Sequence, residues 1–202
     1  MAMKHLAKVN SHAVTERYSA ILQTAERLFG EKGYRGVSID EIAKAAGVSK
    51  GLVFYHFTSK KALVEHILKD AMTTLLIRWD AITQSGESGR DKLRAAVEAC
   101  LDIFNSRPYL LRIAFFEAIF EEEMKDILFN ISEEIMLRID RLLKDGIAKG
   151  EFRPVDSRMA ANLLLGMSTV PPLQAALRPQ PLVPVGRIAD EITEIFCHGI
   201  CQ

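Results

Sequence analysis

The chain has 202 residues, 49% of them hydrophobic, enough to bury a core within one or two small domains. Its 26 Lys/Arg balance its 26 Asp/Glu, and a neutral total taken alone argues against a nucleic-acid partner. The distribution reverses that: residues 1–61 carry 10 Lys/Arg against 5 Asp/Glu, while the remainder carries 16 against 21, so a basic end faces an acidic one.

Met1 to Ala13 reads as a weakly patterned tail with Lys4, His5 and Lys8, a basic arm or a loose terminus. Tyr18, Ile21, Leu22, Ala25, Leu28 and Phe29 mark one face of a first helix, and Gly30 and Gly33 punctuate its end. Ser38 and Glu41 form a capping box that opens a second helix through Ile39, Ile42, Ala43 and Ala46. Gly47 then supplies a left-handed stop, and Ser49 caps a third helix beginning Lys50-Gly51-Leu52. Val48, Leu52, Val53 and Phe57 read as its packed side. Ser59 caps a fourth helix through Leu63, Ile67, Ala71 and Leu75 to about Ile82, long enough to join two domains. After the loop Gln84–Gly89, a fifth helix carries Leu93, Ala96, Val97, Cys100, Leu101 and Phe104.

Pro108 suits the first turn of a sixth helix, and Tyr109 to Phe120 is apolar nearly all round. Glu121 to Glu123 open a seventh helix that runs through Ile127, Ile131, Ile135 and Leu143 to Gly146 or Gly150. Glu151 to Pro154 form a turn, and Met159, Leu163, Leu164, Met167 and Val170 an eighth helix. Pro171 to Pro184 reads as a connection with a helical turn around Leu173 to Leu177. Ile188, Ile192, Ile195, Phe196 and Gly199 mark the last helix. No strand pair and no internal repeat stand out, so the expected fold is all-α, with about nine helices.

The second and third helices with Gly47 between them form a helix-turn-helix, which offers the start of its second helix to a major groove. Ser49 and Lys50 sit at that start, and Lys50 can donate to guanine O6/N7 or to phosphate. Gly51 leaves room for close approach, Tyr55 and His56 reach for the sugar-phosphate wall, and Ser38 can touch phosphate while capping. Lys60, at the next helix start, is a further phosphate candidate or part of a solvated face with Lys61.

The string I-A-x-x-A-G-V-S-K-G, followed by F-Y-H-F and S-K-x-x-L, resembles the TetR (tetracycline repressor) family of bacterial transcription regulators. The resemblance covers about the first third of the chain. It implies DNA-contacting roles for Ser38, Ser49 to Gly51, Phe54 to His56, and Lys60. Phe54 departs from the family pattern, where a tyrosine is usual, and lacks that hydroxyl. The resemblance also implies a DNA-binding domain over residues 1–60, a ligand-binding and dimerisation domain over 61–202, a homodimer on a palindromic operator, and repression.

The second part offers material for a small-molecule pocket. Trp79, Phe104, Phe115, Phe116, Phe120, Phe129, Met136 and Met167 supply aromatic and pliable surface, with Tyr109, Arg112 and Asn162 as polar anchors. They imply an apolar or aromatic effector. Leu163, Leu164, Met167, Val170, Ile188, Ile192, Ile195, Phe196 and Gly199 are more apolar than lone surface helices need, as a two-fold four-helix interface would require. Regulation by a protein partner, or by no ligand, is the alternative.

No catalytic set, cofactor or metal site emerges. Gly166-Met167-Ser168 lacks the second glycine of a nucleophile elbow, and His198 would turn away from Cys197 and Cys201 on a helix. Three cysteines in apolar helical patterns do not make a disulfide framework and fit a reducing cytoplasm. The 19 uncharged residues between Arg158 and Arg178 are interrupted by Asn162, Ser168, Thr169, Pro171-Pro172 and Gln174, which reads as a buried helix rather than a membrane span.

Overall fold

The computed structural model describes residues 2–114, 122–177 and 184–200, which form helices joined by short turns, with no strand among them. α1 spans Ala2–Lys32, α2 Ile39–Ala45, α3 Lys50–His56 and α4 Lys60–Gln84. α5 spans Gly89–Ser106 and α6 Pro108–Arg112. α7 covers Glu122–Ala148, α8 Ser157–Leu177 and α9 Val185–Ile200.

Serine caps start the helices of the N-terminal bundle. The hydroxyls of Ser38, Ser49 and Ser59 accept from the amides of Glu41, Leu52 and Ala62 at 3.1, 3.2 and 3.0 Å. Glu41 completes its capping box by accepting from the Ser38 backbone N–H. The turn from α2 to α3 follows a Schellman geometry. Gly47 sits at φ +67°, its N–H donates to Lys44 O, and Val48 N–H reaches back to Ala43 O at 2.9 Å. Any side chain there would be forced into the left-handed region, so glycine sets the angle between the two helices.

Two apolar clusters divide the molecule. One gathers Ile21, Phe29, Ile42, Val53 and Phe57 with Leu63, Ile67 and Ala71 of α4, and it also takes in Ile103, Leu110 and Ile113. The other gathers Leu75 and Trp79 of α4 with Val97, Leu101, Ile139, Leu143, Leu164, Ile192 and Phe196. α4 therefore belongs to both, its first half in the head and its second half in the larger bundle. The head's cluster does not stop at residue 61.

Two expectations about the elements change. The N-terminal stretch read as a tail is wound into α1 from Ala2. α8 passes through Pro171 and Pro172 to Leu177 instead of ending before them. Proline's fixed φ is itself helical, so the chain can stay wound although the pair leaves the Met167 and Ser168 carbonyls without their bonds and crowds them, and the good helix formers of Leu173–Leu177 continue the winding. Of the sixth helix expected through Phe120, the described residues give Pro108–Arg112 with Pro108 in its first turn, and residues 115–120 lie outside them.

Candidate functional site

The start of α3 is exposed on the surface of the helix-turn-helix. Val53 and Phe57 are buried and hold α3 onto the bundle. Ser49, Lys50 and Gly51 face outward, and a Cβ built on Gly51 would meet nothing closer than Ser49 Oγ at 3.9 Å. Phe54 is 45% exposed and Tyr55 79% exposed, unusual for aromatic side chains without an external partner. His56 lies partly buried between the rings of Tyr18 and Tyr55, with centroids 5.6 and 5.1 Å away.

Ion pairs organise this surface. Lys50 Nζ donates to Asp40 Oδ2 at 3.0 Å, so the recognition helix's single ammonium is held by the first turn of α2. Lys32 donates to Glu41, and that hydrogen bond, the largest effect, holds the Glu41 carboxyl below its ordinary value. Lys60 is placed differently from the phosphate role the sequence suggested. Its Nζ turns inward to donate to Tyr34 O at 2.7 Å and Val37 O at 2.9 Å, and lies 4.3 Å from the Tyr34 ring centre. It fastens the loop before α2 to the start of α4 through those two carbonyls. Asp40 was not singled out from sequence; its place in a helix first turn, ten residues before Lys50, was the available signal.

A cavity of about 510 Å³ opens where the two clusters meet, between α4, α5, α6, α7 and α8. Phe104, Phe129 and Asn162 stand on its wall, as do Leu68, Met72, Cys100, Ile103, Leu110, Leu128, Ser132, Leu165 and Thr169. No Lys, Arg, Asp or Glu is among the described lining residues. Ser132 and Thr169 spend their hydroxyl protons on the Phe129 and Gly166 carbonyls, and Asn162 donates to Arg158 O. Burial pushes the Cys100 thiol up to about 12, so it stands there as an apolar group.

Other residues expected at a pocket lie elsewhere. Trp79 and Met136 are 3% exposed within the core, and Trp79 Nε1 donates to Ala96 O at 3.2 Å. Met167 packs against that core because the helical turn points Asn162, Leu165 and Thr169 at the cavity and turns it aside. Tyr109 lies against α1, its hydroxyl 3.4 Å from Glu31 Oε1, and Arg112 is exposed and off the wall. Phe115, Phe116 and Phe120 fall outside the described residues.

The residues expected at a subunit interface also divide. Leu164, Ile192 and Phe196 are buried in the chain's own core, and Met167 and Ile188 pack against it. Leu163, Val170 and Ile195 are 59%, 48% and 63% exposed; Gly199 is open, and Met159, 59% exposed, joins them. Among the described residues no helix is long and apolar enough to cross a membrane, and no three His, Cys, Asp or Glu side chains gather as metal ligands.

Residues 21–67 match the family described as "Bacterial regulatory proteins, tetR family", and residues 86–172 match "Tetracyclin repressor-like, C-terminal domain". The transposon Tn10 TetC protein of Escherichia coli is 33% identical over 158 residues, 74% of this chain and 75% of that one. The HTH-type transcriptional repressor KstR2 of Rhodococcus jostii is 27% identical over 195 residues, 92% of each chain. In three dimensions the chain resembles the transcriptional regulator FadR of Bacillus subtilis in complex with stearoyl-CoA. The TM-score is 0.82 at 20% identity, over 90% of this chain and 98% of that one.

Proposed function

This chain belongs to the TetR family of bacterial regulatory proteins, and from that premise we propose a ligand-responsive repressor acting as a homodimer on a palindromic operator. Residues 1–60 read DNA; residues 61–202 bind the effector and pair with a second copy. The carrying observation is the course of α4. It starts beside the recognition helix, packs Leu63 and Ile67 into the head, and then presents Leu68, Met72 and Leu75 to the cavity.

Ser49, Lys50 and Gly51 enter the major groove, with Lys50 on a base edge or phosphate and Tyr55 and His56 along the backbone. Ser38 meets phosphate at the start of α2. Phe54, half exposed and without a hydroxyl, supplies an apolar contact. Two copies paired through Met159, Leu163, Val170 and Ile195 would cover exposed apolar side chains that a single chain leaves in water, and would set the two heads about one DNA turn, ~34 Å, apart.

An effector that fits one arrangement of the bundle tilts α4 and changes that spacing; a coupling of about 1–3 kcal/mol is enough for release. The uncharged wall calls for a molecule whose buried part is apolar and carries no charge, since an ion there would lack a partner. The stearoyl-CoA held by the FadR relative supports an acyl chain as one such part.

The test is selection of duplex fragments by the purified protein, followed by retention measured with stearoyl-CoA and stearyl alcohol. Release by either compound at concentrations that raise the melting temperature supports the reading. Retention untouched by every stabilising compound overturns the effector part, and failure to retain any duplex at low salt overturns the DNA-binding part.

A further inference from the structure

We infer that Arg107 is the joint through which the cavity moves α1 of the reading head, tying that helix to α4 as well. The inference rests on the cavity being the effector site. Arg107 occupies the corner between α5 and α6, the C-cap of one and the N-cap of the other. From there its guanidinium reaches two other helices. Nε donates to Glu26 Oε2 of α1 at 3.0 Å and Nη2 donates to the same oxygen at 2.5 Å. Nη1 donates to Asp70 Oδ2 of α4 at 2.9 Å, and Nη2 also approaches Ile67 O at 3.3 Å. The Arg107 and Glu26 side chains are only 20% and 10% exposed, unlike most ion pairs of this chain. Three helices thus meet on one rigid fork, which a lysine's single point of charge could not reproduce.

The corner also adjoins the cavity. Ile103 and Leu110, on either side of Arg107, line the apolar wall. Ile103 lines a second, polar cleft as well, of about 580 Å³, which holds Glu26, Asp70 and Arg107. The cavity and the cleft of the ion cluster thus share Ile103 on their walls. Two residues beyond Arg107, the Tyr109 ring lies flush on α1 at Gly30, where an added Cβ would come within 2.3 Å of Cδ1. A displacement of Ile103 or Leu110 cannot be absorbed at that seam. It moves α1 or it breaks the buried pair, and either outcome repositions the head, because α1 also packs against Phe57 through Tyr18, about two turns before Glu26.

The experiment fills the cavity by substitution, so it needs no identified effector. Ser132→Phe and Thr169→Phe, separately, place a ring on the cavity wall. Each is measured for duplex affinity on the tightest selected fragment, in three backgrounds: unaltered, Glu26→Gln/Arg107→Met, and Arg107→Lys. The double substitution removes both charges, so no lone buried carboxylate is left; Arg107→Lys keeps the charge and loses the fork, and serves if the other does not fold. The expected result is about tenfold weaker binding on filling in the unaltered background, and less than about twofold in the other two. Equal weakening in every background overturns the joint, since a structural role would shift all affinities without changing the effect of filling. No weakening in any background overturns the cavity as control site, and the joint with it. Loss of duplex binding by the unaltered chain marks instead the failure of the DNA-binding reading.

Discussion

In the head, the helix starts and the turn between reading helices are written in contacts three to five residues apart. Serine hydroxyls accept from amides at the starts of α2, α3 and α4, and Gly47 turns the chain between reading helices. In the larger bundle the decisive contacts span much greater separations. Arg94 meets Asp190 across 96 residues, and where the bundle meets the head Arg107 reaches Glu26 across 81. A surface that must present the same few groups to DNA is specified by local chemistry. A region that encloses a void is specified by how faces from distant helices meet, and its sequence can vary as long as the faces remain apolar.

The largest break in this comparison comes from the exposed apolar face of α8 and α9. Leu163→Glu combined with Ile195→Glu places two charges where a second copy would sit, at positions more than half exposed in the single chain. The fold should survive, because neither side chain is in the core. Sedimentation should show a dimer becoming a monomer, and operator affinity should fall by about 10²–10⁴ as the second head no longer benefits from being tethered. A variant that sediments as a dimer would remove this face from the interface.

The head is tested next, by two substitutions of opposite sign. Lys50→Ala should weaken operator binding by about 1–3 kcal/mol and reduce the slope of log affinity against log salt by about 1. Asp40→Asn frees the Lys50 ammonium, which Asp40 now holds at 3.0 Å. It should raise affinity for random-sequence duplex a few-fold, since an exposed pair is worth at most about 1 kcal/mol. Unchanged binding by both variants would mean that the start of α3 does not meet DNA.

The same division decides what could be read from residue order. Caps at Ser38, Ser49 and Ser59, the stop at Gly47 and the proline start of α6 are legible, because each acts on its own neighbours. Periodicity also separates buried from exposed faces. It cannot say whether a buried face meets solid core or a void, so Trp79 and Met136 looked like pocket residues beside Phe104. Nor does it separate Leu164, inside the chain, from Leu163, outside it, when one helical step of about 100° divides them. Lys60 was misplaced for a related reason: the carbonyls that hold it belong to Tyr34 and Val37, 26 and 23 residues earlier.

The smallest effect probes a polar contact in the bundle that no capping rule would find. Asp140 is 6% exposed, accepting from Ser157 Oγ at 2.5 Å and from Lys144 Nζ at 2.8 Å, and so fastens α7 to the start of α8. The Lys144 bond first, and the Ser157 bond second, hold its carboxyl below the ordinary value. A carboxylate depressed in the folded state adds stability above its unfolded value, about 3.9, and loses it as pH falls through the folded value. Asp140→Asn should therefore lower stability by about 1 kcal/mol at pH 7, a drop of about 2–4 °C in melting temperature. The gap to the unaltered protein should begin to close below about pH 4, as the unfolded chain takes up its proton, and go on closing until the folded carboxyl does so at lower pH. A gap that stays constant from pH 7 to pH 3 would assign Asp140 a packing role and leave the joint between α7 and α8 to its apolar neighbours.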